Sequence, residues 1–134
     1  MQRKIARENA FILIFESVCK TDETAEEIFT KATEVRGLEY DEYVKTVFFG
    51  SFENRGVIED CAEEHFTGWK KERLSPVSRA LIRLAGYEIM FMEDIPGKVS
   101  INEAIELSKK YDDEKSYSFV NGVLNALCKE YSDK

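Results

Sequence analysis

Apolar residues recur at helical spacing along almost the whole chain, and this periodicity constrains the fold more than any other feature. Alternation of apolar and polar residues, which is typical of strands, is nearly absent. Only two prolines, Pro76 and Pro96, interrupt 134 residues. The sequence therefore predicts an all-α fold of six or seven helices joined by short connections.

Capping residues and glycines predict the helix ends in the first half of the chain. Helices are expected at about 3–19, 23–35 and 41–53. Thr21 or Asp22 is the expected N-cap of the second helix, which Gly37 stops. A break or kink is expected at residues 54–56, so the pattern leaves open whether 41–68 is one helix or two.

The second half carries clearer signals. Ser75 followed by Pro76 predicts an N-cap and a proline at the first helical position. Ser100 and Glu103 have the spacing of a capping box and predict a short helix that ends near residue 110. Negative charge at 112–114 favours the start of a last helix. On that helix, Gly122 and Ala126 are predicted to let another backbone approach closely.

The composition indicates a folded domain. The chain is 43% hydrophobic, too apolar for disorder, and it has no apolar run long enough to span a membrane. Its length fits one domain, or two small subdomains that share a core. Three widely spaced cysteines indicate a reducing compartment, so we expect a cytoplasmic protein with buried or half-buried free thiols.

Signals for catalysis or metal binding are poor. His65 is the only histidine, and no nucleophile elbow or phosphate-binding loop accompanies it. Cys61 and His65, four residues apart, resemble half of a metal site that no second pair completes. The acidic residues between 59 and 64 are interpreted as a solvated surface or a dock for a basic partner. We therefore predict no enzyme, no metal and no cofactor.

Basic residues are clustered locally in a chain whose net charge is −7. Arg3, Lys4 and Arg7 make the first ten residues positive, and Arg3 and Arg7 are expected on one exposed helix face. Tyr111 and Phe119 lie within a second basic group, and an exposed aromatic can stack a base. That group is Lys98, Lys109, Lys110 and Lys115. These clusters leave two alternatives: an RNA-binding face, or the solvated face of a protein–protein adaptor that does not contact RNA.

Several stretches of the sequence resemble the NusB family of transcription antitermination factors. They are Arg7-Glu8 with Ala10, and residues 74–88, 94–109 and 114–124. The most specific feature is Lys98-Val-x-Ile-Asn-Glu-Ala in combination with Phe119-Val-Asn-Gly-Val-Leu. The resemblance implies two small packed helical bundles, here about 1–70 and 71–134.

The resemblance also implies a function and partners. Family members bind the single-stranded boxA element of nascent RNA together with NusE, a ribosomal small-subunit protein acting in transcription. The complex supports antitermination by RNA polymerase across ribosomal RNA operons, and some members self-associate, so a homodimer is a further candidate.

The resemblance assigns roles to individual residues. The implied RNA-binding residues are Arg3, Lys4, Arg7, Lys98, Tyr111, Lys115, Ser116 and Phe119. The implied partner-binding residues are Phe15, Ser78, Arg79 and Glu88. Lys115 stands where some relatives have aspartate, which should strengthen the attraction to phosphate. Phe15 and Ser78 replace a tyrosine and a glutamate of some relatives, so partner contacts there differ.

Overall fold

The computed structural model of the protein describes residues 1–68 and 70–131. These residues form seven α-helices and no strand, which confirms the predicted all-α fold. The helices are α1 (Arg3–Cys19), α2 (Ala25–Thr30), α3 (Glu42–Glu53), α4 (Arg55–Glu63), α5 (Pro76–Phe91), α6 (Gly97–Tyr111) and α7 (Glu114–Glu130). A π-helical turn, Lys31–Val35, continues α2, and a 3-10 turn, Lys71–Arg73, precedes α5. No helix among the described residues has both the length and the apolar character needed to cross a bilayer.

Side-chain caps open several helices where the sequence predicts them. The Ser75 hydroxyl accepts the backbone N–H of Ser78 at 3.0 Å, and Pro76 follows at the first helical position. Asp41 and Asp113 cap α3 and α7 in the same way. Each cap satisfies a backbone N–H that has no partner within the helix.

Two predicted helix starts in the chain are wrong. The N-cap of α2 is Thr24, because it forms a reciprocal capping box with Glu27 that neither Thr21 nor Asp22 can form. The capping box predicted at Ser100 is absent, since α6 begins at Gly97 and the Ser100 side chain is buried. The question left open for 41–68 is answered, because Asn54 separates α3 and α4.

Two further expectations fail at the level of packing. A Cβ at Gly122 would meet nothing within 4 Å, so this glycine lies against no other backbone. A Cβ at Gly97 would instead clash with the Cys128 sulfur, which places the close approach at the start of α6. Cys61 and Cys128 are half-buried as predicted, whereas Cys19 is exposed because it is the last residue of α1.

Helix α5 lies at the centre of the fold, packed against α1, α3, α4, α6 and α7. The main hydrophobic core draws residues from both halves of the chain, from Ala6 on α1 to Leu127 on α7. A smaller cluster of Ala62, Ile82 and Val123 joins α4, α5 and α7. The division at about residue 70 stays a prediction, and the core runs across it. This packing brings the start of α1 beside α6.

Candidate nucleic-acid interface

The residues predicted to bind RNA lie around α6. Lys98 is in its first turn and Tyr111 is its last residue, so the two are about 20 Å apart along the helix axis. Lys115 lies just beyond, in the first turn of α7. Arg3 and Lys4, in the first turn of α1, lie beside the start of α6. The fold therefore brings together basic side chains from the first helix and from the last two helices.

A depression of about 420 Å³ separates the start of α1 from the start of α6. We call it the N-terminal depression; it is lined by Arg3, Lys4, Arg7, Asp94, Ile95, Pro96, Val99 and Glu103. A narrower cavity of about 100 Å³ shares Lys4, Arg7 and Glu103 with it and extends along α6 to Lys110. The two together form one groove between α1 and α6.

The prediction that Arg7 is exposed is wrong, because only 4% of this residue is accessible. Its Nε donates to Oε2 of Glu88 at 2.9 Å, and the Glu88 side chain has no exposed surface. Burial alone would lower the pKa of the Arg7 guanidinium, but the hydrogen bond and negative charge of Glu88 outweigh burial and raise it. Arg7 is therefore a charged residue beneath the surface.

Two more donors complete the surroundings of Glu88. The Tyr43 hydroxyl donates to Oε2, and the Ser100 hydroxyl donates to Oε1 at 2.6 Å. Burial raises the pKa of Tyr43, and the charge of Glu88 raises it further, so the phenol stays protonated. This buried cluster, consisting of Arg7, Tyr43, Glu88 and Ser100, ties α1, α3 and α6 to α5.

Arg3 lies directly above the buried cluster. Its guanidinium carbon is 4.3 Å from the centre of the Tyr43 ring, which is the geometry of a cation–π contact. Arg3 is exposed, whereas Tyr43 is only 6% exposed. The sequence did not indicate Tyr43 as part of this surface, since it lies on α3 among core residues.

Tyr111 is held in a fixed orientation at the other end of α6. Its ring packs against Phe11, with 5.1 Å between centres, and its hydroxyl donates to Glu8 at 2.6 Å. Lys110 donates to the same carboxylate oxygen at 2.7 Å. These hydrogen bonds, first from Lys110 and then from Tyr111, lower the pKa of Glu8. Tyr111 remains 41% exposed, so part of its ring is available to a ligand.

A second depression, of about 230 Å³, lies where α5 meets the start of α7. It brings Lys115, Ser116 and Phe119 together with Ser78, which was predicted to contact a protein partner. Phe119 is half-buried and packs edge-to-face on Phe66, with 5.2 Å between ring centres, so part of its ring belongs to the core.

The other residues predicted to contact a protein partner differ in accessibility. Phe15 is half-buried, with its ring 6.1 Å from Phe11. Arg79 donates to Glu59 at 2.6 Å and to the Lys71 carbonyl at 3.0 Å, so its hydrogen bonds are internal. Glu88 is buried in the cluster described above. Their roles in partner binding stay predictions.

The acidic residues between 59 and 64 differ in burial and in their partners. Glu59 is half-buried in salt bridges with Arg79 and Arg83, which corrects its interpretation as solvated surface. Asp60, Glu63 and Glu64 are exposed.

Cys61 and His65, whose spacing resembles half of a metal site, do not form a common site. Nε2 of His65 contacts the Glu130 carboxylate, and the Cys61 sulfur lies 3.7 Å from the Tyr131 hydroxyl, so the two residues have different partners. No group of three or more metal-ligating side chains occurs within 1–68 and 70–131.

Comparisons with known proteins point in one direction. The NusB family model matches residues 4–129. A transcription antitermination protein NusB from Clostridium perfringens is 45% identical over 113 residues, which cover 81% of this chain and 84% of that protein. A structure of NusB from T. maritima has a TM-score of 0.84 at 36% identity and covers 98% of this chain and 93% of its own. A structure of antitermination factors NusB and NusE in complex with double-stranded RNA has a TM-score of 0.84 at 30% identity. The match covers 96% of this chain and 97% of the chain in that structure.

Proposed function

Because the chain belongs to the NusB family, we propose that it is an antitermination factor that binds a single-stranded boxA-type RNA along α6. It does so together with a NusE-like ribosomal small-subunit protein, within an RNA polymerase complex that transcribes ribosomal RNA operons. Its role is to bind and to position, and the proposal involves no catalytic step.

Unpaired positive charge around α6 carries this proposal. Besides Lys109, which lies over the Tyr117 ring, four cations there form no salt bridge within the described part of the chain, although acidic residues exceed basic ones. They are Arg3, Lys4, Lys98 and Lys115. Cations left without carboxylate partners are available to phosphate oxygens, which supply most of the affinity for RNA. Tyr111, exposed and fixed between Glu8 and Phe11, adds a surface on which a base can stack.

Single-stranded RNA suits this surface better than a duplex. The major groove of double-stranded RNA is too deep and narrow for side chains to read, whereas unpaired bases can reach Tyr111. The related complex with NusE contains double-stranded RNA, so duplex RNA is the natural competitor in any binding experiment.

The proposed protein partner adjoins the RNA. Phe15 is linked through the Phe11 ring to Tyr111, and Ser78 shares a depression with Lys115. Phe15, which is half-buried, and Ser78, which is only 2% exposed, thus lie next to residues predicted to bind RNA. A basic protein bound there would add phosphate contacts and offset the repulsion between an acidic chain and RNA.

Fluorescence anisotropy with labelled boxA-type RNA at low salt tests the proposal. We expect Lys115→Glu to weaken binding about tenfold or more, because it removes one phosphate contact and adds repulsion. Lys45→Glu is the matched control. Lys45 is an exposed cation on α3, and it is two residues from the inward-facing Tyr43, so it points away from this surface.

The titrations are repeated with the ribosomal partner and with duplex RNA of the same sequence. If Lys115→Glu binds RNA as the wild type does, the proposed surface is wrong. If the chain binds the ribosomal protein but no RNA in any titration, it is an adaptor and the RNA-binding function is overturned.

A further inference from the structure

We propose that the N-terminal depression holds one unpaired nucleobase with an exocyclic amino group, stacked on the guanidinium of Arg3. The inference rests on the proposed function and deepens it, since it assigns a base-binding site that includes the α3 residue Tyr43. Three features of the depression carry it.

The first feature is a fixed stacking plane. The Arg3 guanidinium covers the Tyr43 ring at 4.3 Å, and that ring is held by the hydrogen bond of its hydroxyl to Glu88. The ring therefore fixes one side of the guanidinium, while the exposed side chain also lines the depression. Unpaired bases stack on arginine planes as they do on aromatic rings. Tyr43, Arg3 and a base would form a three-layer stack.

The second feature is the combination of apolar and acidic walls. Pro96 and Val99 form an apolar side, and 41% of Val99 is exposed. Asp94 and Glu103 contribute carboxylates to the same depression, and Oε1 of Glu103 also lies 3.8 Å from Nη1 of Arg7. Carboxylates repel phosphate but accept hydrogen bonds from base amino groups. This depression thus favours the base of a nucleotide over its phosphate.

The third feature is the match between the acidic wall of the depression and the hydrogen-bonding groups of certain bases. Adenine, cytosine and guanine present amino hydrogens on their pairing edges, whereas uracil presents two carbonyl oxygens on either side of one N–H. Those oxygens would face the acidic wall unfavourably. The volume of about 420 Å³ also falls within the range of small-ligand sites, about 300–1,000 Å³.

A scan of modified RNAs tests the proposal. Each nucleotide of a short boxA-type RNA is replaced in turn by an abasic residue, and binding to the wild type is measured by anisotropy in the presence of the ribosomal partner. The scan is repeated with Arg3→Lys, which keeps the charge but loses the planar group. We expect one amino-bearing position whose base loss weakens wild-type binding about tenfold and has little effect in Arg3→Lys.

Lys4→Ala is the matched control, because it removes a neighbouring cation but leaves the stacking plane. We expect it to weaken binding at every position equally and to keep the wild-type abasic profile. The same position should also lose affinity when its base is replaced by uracil. A flat abasic profile, or one that Arg3→Lys leaves unchanged, overturns the base site alone. Absence of RNA binding by the wild type overturns the proposed function.

Discussion

At the scale of single residues, the Glu88 carboxylate organises the surface without being part of it. The Glu88 side chain has no exposed area, so its charge must be balanced inside the protein. Arg7, Tyr43 and Ser100 supply the three donors that do this. Arg7 takes part in this buried cluster and is not exposed, whereas Arg3 on the same helix is exposed. Arg7 was predicted from the sequence to lie exposed at this surface, but it is buried beneath it.

The sequence could not reveal this role for physical reasons. Arg7 and Glu88 are 81 residues apart, and nothing in a basic N-terminal helix distinguishes a buried arginine from an exposed one. By contrast, the exposed cations Lys98 and Lys115 were predicted because several basic residues are grouped in this part of the sequence. Candidate sites built from exposed charge are predictable, and their buried supports are not.

Tyr43→Phe tests the buried cluster through stability. The variant keeps the ring but leaves Glu88 with one donor fewer, so the free energy of unfolding should fall by about 1–3 kcal/mol. Urea unfolding at neutral pH measures this loss. An unchanged midpoint would show that the hydroxyl contributes nothing to the fold.

The same variant should also change the dependence of stability on alkaline pH. The pKa of Tyr43 is raised in the folded state, so its contribution is complete below the unfolded pKa of about 10. Above that pH the unfolded chain loses the phenol proton while the folded chain keeps it, and stability falls as pH rises. Tyr43→Phe should fall less steeply than the wild type between neutral pH and about pH 11. Parallel curves would contradict the assignment.

At the scale of helices, the sequence predicted those ends that a local cap determines. Ser75 with Pro76 opened α5 as expected, and α3 began near residue 41 as expected, because each cap has its partner within the next turn. Ser100 has an equally good local pattern, yet Glu88 on α5 binds its hydroxyl instead. A long-range hydrogen bond therefore overrode the local signal. The same limit applies to glycines, whose packing depends on which helix crosses them.

Two helix-interior glycines give opposite predictions for the same substitution. Gly122→Ala should raise the free energy of unfolding by about 0.5–1 kcal/mol, because its Cβ meets nothing and alanine favours the helix. Gly86→Ala should lower it by about 1–3 kcal/mol, because its Cβ would lie 2.7 Å from Cγ2 of Ile58 on α4. Urea unfolding of both variants measures the difference. The cost at Gly86 should shrink in an Ile58→Ala background, and a cost that persists there would mean that another contact causes it.

At the scale of the whole molecule, an acidic total charge and an RNA-binding face are compatible because the acidic and basic residues are distributed unevenly over the protein. Many basic residues form salt bridges within the protein, as Arg79 and Arg83 do with Glu59. Among the cations without a salt bridge in the described part of the chain, Arg3, Lys4, Lys98, Lys109 and Lys115 lie around α6, where α1 and the start of α7 approach it. The sequence showed the excess of acid and the two basic groups, but only the packing of α1 beside α6 makes the groups one surface. Net charge then limits the strength of RNA binding rather than its location.

The salt dependence of RNA binding follows from this arrangement. With about four phosphate contacts to a single strand, the logarithm of the binding constant should fall against the logarithm of salt concentration with a slope of roughly −3. Lys98→Ala should make the slope shallower by about 0.7, because one contact is lost. Lys45→Ala should leave it unchanged, and the basic ribosomal partner should make it steeper by adding contacts. Anisotropy titrations over a series of salt concentrations measure each slope. Equal slopes for Lys98→Ala and the wild type would remove Lys98 from the phosphate-binding surface, since an exposed cation that contacts phosphate must release counterions.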